Sequence, residues 1–186
     1  MKKQLTLAIL LATTSVAALA TEPFAGLQYK YDRLDSGASS SGYAFDVGSH
    51  LTNYATVDVY GETMDSNQSK SLTNRLEGGL ALSAKVMDQV GVYARGALGN
   101  KMTQGADSMY YSVEPGVFAN LTKSDLVSVG YRYRSATQDN KLDQTRAVRI
   151  GYTHSVTHDI DLNVTAERYQ GDVAQTSILA GAAIKF

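Results

Sequence analysis

Alternation with a period of two, repeated along almost the whole chain, most narrows what this sequence can fold into. Ala25, Leu27, Tyr29 and Tyr31 interleave with Gly26, Gln28, Lys30 and Asp32. Tyr43, Phe45 and Val47 then interleave with Ala44, Asp46 and Gly48, and Ala55, Val57 and Val59 with Thr56, Asp58 and Tyr60. Successive side chains of a strand point to opposite faces, so each segment carries one apolar and one polar face. The same pattern continues through 76–86, 90–98, 111–121, 127–133, 146–154, 160–166 and 178–186. It predicts ten strands, with eight the nearest alternative count, each close to the roughly 9–11 residues a tilted strand needs to cross a bilayer.

The links between these segments fall into two classes. Short turns are expected at Thr52-Asn53, Met87–Gln89, Thr122–Asp125 and Ser155–His158, and longer polar links at 34–42, 64–71, 101–108, 135–143 and 170–175. Short turns at one rim and longer loops at the other are what a transmembrane barrel shows. An even strand number then puts both termini at the short-turn rim, on the periplasmic side. After residue 20 there is no run of about 18 apolar residues, so helical spans are not expected. The chain has no Cys, which removes disulfides and thiolate metal sites, and no metal-ligand spacing is present. A formal net charge of -1 offers no basic surface for nucleic acid.

The N-terminus is built as an export leader. Lys2 and Lys3 precede an apolar stretch from Leu5 to Ala18, and Ala18-Leu19-Ala20 fits the small-x-small cleavage pattern. The expected division is a signal peptide over 1–20 and a single barrel domain over 21–186. Mature protein should begin at Thr21; an intact mass that retains Met1 to Ala20 would refute this.

Alternation alone also suits a soluble barrel, whose apolar face fills the interior. Here the polar face is rich in mid-strand charge. Lys30, Asp46, Asp58, Glu62, Asp161 and Glu167 fall on it, as does a cluster of Arg75, Glu77, Arg95, Glu114, Arg132 and Arg149. The apolar face is mainly small and aliphatic, with aromatic residues at strand ends. Tyr29, Tyr31, Tyr43, Phe45, Tyr111, Tyr131 and Tyr133 lie toward the loop rim, and Tyr152 and Phe186 toward the turn rim. That is an aromatic girdle around a lipid-facing band, with the charges turned into a lumen. Register adds a specific expectation. A hairpin centred between Gln104 and Gly105 sets Arg95 opposite Glu114, and a turn about Lys123 sets Glu114 opposite Arg132, so one carboxylate would bridge these two guanidiniums.

The last residues resemble the terminal signal of bacterial outer-membrane β-barrels, in which a glycine precedes alternating hydrophobics that end in an aromatic. Here these are Gly181, Ala182, Ile184 and Phe186, with Leu179 where that signal has a polar residue. Together with the architecture of the whole mature chain, the sequence resembles small, porin-like outer-membrane β-barrel proteins, without singling out a subfamily. The resemblance implies an all-β, antiparallel up-and-down transmembrane barrel in the outer membrane, in contact with its lipid and lipopolysaccharide. It also implies assembly by the barrel-assembly machinery, with Phe186 as the docking residue.

Constellations for catalysis are weak. His50, His154 and His158 all fall near the short turns, and His154 beside Ser155 is better read as turn polarity than as a nucleophile–base pair. Asp58, Glu62 and Glu77 are interleaved with arginines, as charge-compensated packing would have them. Gly78-Gly79 and Gly96 lie inside strands with no helix following, which excludes a phosphate loop. The Ser- and Asn-rich links lack the aromatic or charged anchors of an adhesin. No enzyme activity and no cofactor are expected. The function expected is a narrow porin-like channel for small hydrophilic solutes. A non-conducting structural or surface-interaction barrel with a salt-bridged lumen is the alternative, and a lipid-modifying enzyme a distant third.

Overall fold

The computed structural model describes residues 22–67, 71–103, 106–137 and 144–186. The leader read at 1–20, its junction with Thr21 and the hairpin centre between Gln104 and Gly105 lie outside the described residues. The described residues form ten strands: β1 (Glu22–Leu34), β2 (Ser39–Thr52), β3 (Ala55–Ser66), β4 (Leu72–Lys85), β5 (Val90–Thr103), β6 (Ala106–Asn120), β7 (Asp125–Ala136), β8 (Thr145–Ser155), β9 (Ile160–Gly171) and β10 (Gln175–Lys185). Each pairs antiparallel with its neighbours in sequence, and β1 also pairs with β10, closing the barrel. Closure gives every strand two partners, so no edge is left to present unsatisfied backbone groups to lipid.

The two faces sort as the alternation requires. Leu27, Leu80, Leu98, Val129, Ile150 and Ile178 point outward and are 42–66% exposed. An apolar band of this extent has its partner in hydrocarbon, not water. Tyr29, Tyr31, Tyr43, Tyr111, Tyr131 and Tyr152 are exposed around it. On the inside, Lys30, Glu62, Glu77, Glu114, Arg132 and Glu167 are buried.

Strand ends differ from the sequence reading. The strands run 11 to 15 residues, beyond the roughly 9–11 that the membrane requires. The surplus lies largely in the segments read as long links. Ser39–Gly42 belongs to β2 and pairs with β1 and β3, so the β1–β2 turn spans only 35–38 and the β9–β10 turn only 172–174. These are no longer than the turns at 86–89, 121–124 and 156–159. A hairpin leaving the membrane keeps its hydrogen-bond ladder without needing an apolar face, so strand pairing outlasts the alternation. In the β1–β2 turn, Asp35 accepts hydrogen bonds from both terminal nitrogens of Arg168 at 2.7 Å. That guanidinium holds the Asp35 carboxyl below its usual range.

One irregularity lies at mid-barrel. Pro115 has no N–H to give the ladder, and the recorded β6–β7 pairing lapses between Val113↔Tyr133 and Gly116↔Gly130. The two missing pairs are Glu114 opposite Arg132 and Pro115 opposite Tyr131, which places the gap in the most charged part of the lumen.

Candidate functional site: a charged belt across the lumen

Inward-facing residues of β1, β3–β9 meet as a belt of ion pairs. Lys30 Nζ lies 2.8 Å from Glu62 Oε2 and 3.9 Å from Asp32. Arg75 donates to the other oxygen of Glu62. Arg95 gives its Nε to both oxygens of Asp58 at 3.1 Å and its Nη1 to Glu77 at 2.5 Å. Arg132 Nε donates to Glu114 at 2.8 Å, and Arg149 Nη1 to both oxygens of Glu114 at 2.9 and 2.7 Å. Arg149 Nε also stands 2.6 Å from Glu167, an ion contact without hydrogen-bond alignment.

Each of the four belt glutamates also accepts a tyrosine hydroxyl. Tyr60 donates to Glu62 at 2.8 Å, Tyr93 to Glu114 at 3.0 Å, Tyr110 to Glu77 at 3.0 Å, and Tyr169 to Glu167. A buried carboxylate is stable when its lone pairs are used and its charge is met, and both conditions hold here. These tyrosines were not foreseen as a set, because tyrosine reads first as a girdle residue. Their signal is parity: Tyr60 and Glu62, like Glu167 and Tyr169, are two residues apart and share a face.

The six residues singled out in the sequence all line the lumen, but not in one cluster. Arg132, Arg149 and Glu114 form one group, Arg95 and Glu77 a second, and Arg75 pairs with Glu62 in a third. The Arg95–Glu114 bridge does not form. The two are in register, yet the Arg95 guanidinium turns the other way and crosses β4 to Asp58. Gly79 permits the crossing: a Cβ there would lie 2.7–2.8 Å from three atoms of the Arg95 guanidinium group. Glu114 still carries two arginines, Arg132 and Arg149, not the pair expected.

This gives a prediction. Gly79→Ala should displace Arg95 from Asp58 and cost about 1 kcal/mol, within the usual range for a single substitution. In a double-mutant cycle with Asp58→Asn, measured by urea unfolding in lipid vesicles, the losses should be sub-additive. Full additivity would show that Arg95 does not depend on the gap at Gly79.

The belt closes the barrel. Every strand contributes a buried inward residue, including Ala44 of β2, Ala97 of β5, Ala147 of β8 and Leu179 of β10. Glu62, Glu77, Glu114 and Glu167 are only 3–5% exposed, which a water-filled pore at this level would not allow. Open hollows lie on either side. One of about 210 Å³ faces the loop rim and includes Arg75, Lys101 and Arg134; the other, about 530 Å³, faces the turn rim and includes His50, Ser155 and Lys185.

Of the remaining singled-out residues, Ile184 and Phe186 lie toward the turn rim and Gly181 lies within β10. Phe186 is 75% exposed, and its N–H donates to the carbonyl of Pro23 at 2.9 Å. Ile184 faces lipid. Gly181 lies at the closing seam, where a Cβ would come within 2.1 Å of the Leu27 carbonyl oxygen, so β1 and β10 approach too closely for any side chain there. Asp161 is near the start of β9, at the rim rather than mid-strand, and pairs with Lys185 at 2.8 Å.

A closed antiparallel barrel with an apolar outer band and a charged interior is an outer-membrane β-barrel. Solved structures agree at the level of fold. The chain is similar to a COG4313 outer membrane channel from Pseudomonas putida F1, with 8% identity, a TM-score of 0.60, and 90% of this chain and 96% of that one covered. It is also similar to the translocator domain of the autotransporter NalP from Neisseria meningitidis, with 8% identity, a TM-score of 0.52, and 100% and 98% covered. No protein-family model matches the sequence, and no curated protein matches it.

Proposed function

We propose that the protein is a porin-like outer-membrane barrel whose conduit is held shut at mid-height by the ion-pair belt. Small hydrophilic solutes pass only when the belt opens. The observation that carries this reading is the burial of Glu62, Glu77, Glu114 and Glu167 together, each bound by a cation and a tyrosine hydroxyl. With the belt intact the barrel is structural. The mature protein in planar bilayers at neutral pH should give no steady ohmic current, and Glu114→Gln should produce openings. Steady conductance of the wild-type barrel would overturn the closed state and favour a permanently open narrow conduit.

No catalytic role belongs to this reading. His154 Nδ1 lies 2.8 Å from Asp125, whereas the Ser155 hydroxyl donates to Asp161 at 2.7 Å. Adjacent residues of a strand point to opposite faces, so this serine and histidine do not act on one substrate.

The rim that carries both termini is assigned to the periplasm, where Phe186 is presented to the barrel-assembly machinery. Deleting Phe186 should lower outer-membrane levels in cells while leaving the stability of detergent-refolded barrel nearly unchanged. Unchanged cellular levels would reduce Phe186 to an ordinary rim residue.

A further inference from the structure

Among the described residues, the ion pairs of the lumen leave Arg134 out. Arg134 of β7 is 2% exposed, yet it makes no ion pair among the described residues, and its Nε has no hydrogen-bond partner. Its guanidinium carbon stands 4.8 Å from the centre of the Tyr110 ring. Its cross-strand partners are the hydroxyl residues Ser112 and Thr145, not acids. The two nearby glutamates are engaged elsewhere, and Asp32 has one oxygen bonded and the other without a partner. Glu77 receives Arg95 on one oxygen and Tyr110 on the other, Glu62 receives Lys30 and Arg75, and Asp32 accepts from Gln175 at 3.2 Å. A buried guanidinium left this way is costly, and the cost falls when an anion reaches it.

Arg134 lines the loop-rim hollow of about 210 Å³, beside Arg75, Lys101 and Thr145. Asp32 and Glu62 are the acids in the same wall. Pockets for drug-sized ligands hold roughly 300–1,000 Å³, so the hollow suits a small solute. We infer that this vestibule is a binding site for a small oxyanion, a free phosphate or carboxylate, with Arg134 as its anchor. The guanidinium offers parallel N–H donors to two oxygens of one group, the Tyr110 ring backs its face, and Thr145 supplies a hydroxyl at the same level. Binding here needs neither an open nor a shut belt, so its test stands apart from conductance.

The test is calorimetric titration of inorganic phosphate into refolded barrel in an uncharged detergent, at ionic strength held constant with chloride. Wild-type protein should bind. Arg134→Met should weaken binding by about tenfold or more, as loss of a charge-assisted contact implies, whereas Lys185→Gln at the far rim should not change it. A second variant supplies the missing partner from within: Thr145→Glu sets a carboxylate directly opposite Arg134, and should abolish phosphate binding while raising the unfolding midpoint. No binding by wild type, or equal binding by Arg134→Met or Thr145→Glu, would overturn the site.

Discussion

Glu114→Gln should lower the stability of the barrel in lipid by about 3–5 kcal/mol, the usual consequence of removing one partner of a buried ion pair. The size follows from what the carboxylate holds. Both its oxygens are bound by Arg149, one also by Arg132 and the other by Tyr93, and Arg132 is itself only 8% exposed. Glutamine keeps the shape and some hydrogen bonds but not the charge. The two guanidiniums then face each other across a site from which water is largely excluded. Because the β6–β7 pairing lapses at Glu114 and Pro115, the backbone there is held by its ladder to β5 alone. The same substitution should therefore open the lumen, with a preference for anions set by the uncovered arginines. Urea unfolding in vesicles and reversal potentials across a planar bilayer measure the two effects. A loss below about 1 kcal/mol, the value of a solvated pair, would mean that the belt is hydrated. A cycle with Arg149→Gln should show coupling of about 0.5–3 kcal/mol, and one with Arg95→Gln clearly less, since Arg95 bonds Asp58 and Glu77 instead.

That contrast marks where sequence reasoning reached its limit. The strand count, the facing of each residue and the Arg95↔Glu114 register all follow from period two and turn position, because a one-residue slip would expose the whole charged face. Partner choice does not follow. An arginine stem spans more than one strand spacing, and whether it leans left or right depends on the room the next strand leaves. At Gly79 there is room, so Arg95 leaves the glutamate opposite and takes an aspartate two strands away. Arg134 was missed for a related reason. In sequence it is one more alternate cation after Arg132, and only the occupied state of the glutamates around it sets it apart.

Tyrosine shows the same ambiguity from the other side. Tyr131 and Tyr133 lie on the outer face and Tyr93, Tyr110 and Tyr169 on the inner one, with the same amphipathic chemistry in both places. Composition cannot separate them; parity within each strand does. Strand ends were the least legible, since Ser39–Gly42 pairs as strand without an apolar face and reads as loop.

Facing is also where a single charge should do the most damage for the least change in volume. Val129 points outward at 42% exposure, with Val117 and Ile150 as its cross-strand neighbours, both outward and apolar. It lies on β7 between the outward tyrosines Tyr131 and Tyr152, the latter paired with Val127. An arginine at 129 therefore has hydrocarbon on one side and the strand on the other, and must bend its stem toward a rim to keep its head in water. Val129→Arg should cost about 2–4 kcal/mol in a bilayer. Ser128, one residue away, faces inward near Gly151, toward the wider turn-rim half of the lumen. Ser128→Arg should cost less, because a guanidinium there stays among polar groups. Val57→Arg should behave as Val129→Arg does. Thr56→Arg should fall between the two classes, since it also removes the 2.8 Å contact between the Thr56 hydroxyl and His50 Nδ1. Unfolding in urea, run once in vesicles and once in detergent micelles, separates the terms. The penalty at Val129 and Val57 should shrink in micelles, whose thinner apolar shell lets a charge reach water. Equal losses for Val129→Arg and Ser128→Arg in vesicles would contradict the facing of β7, and with it the inward direction of Arg132 and Arg134.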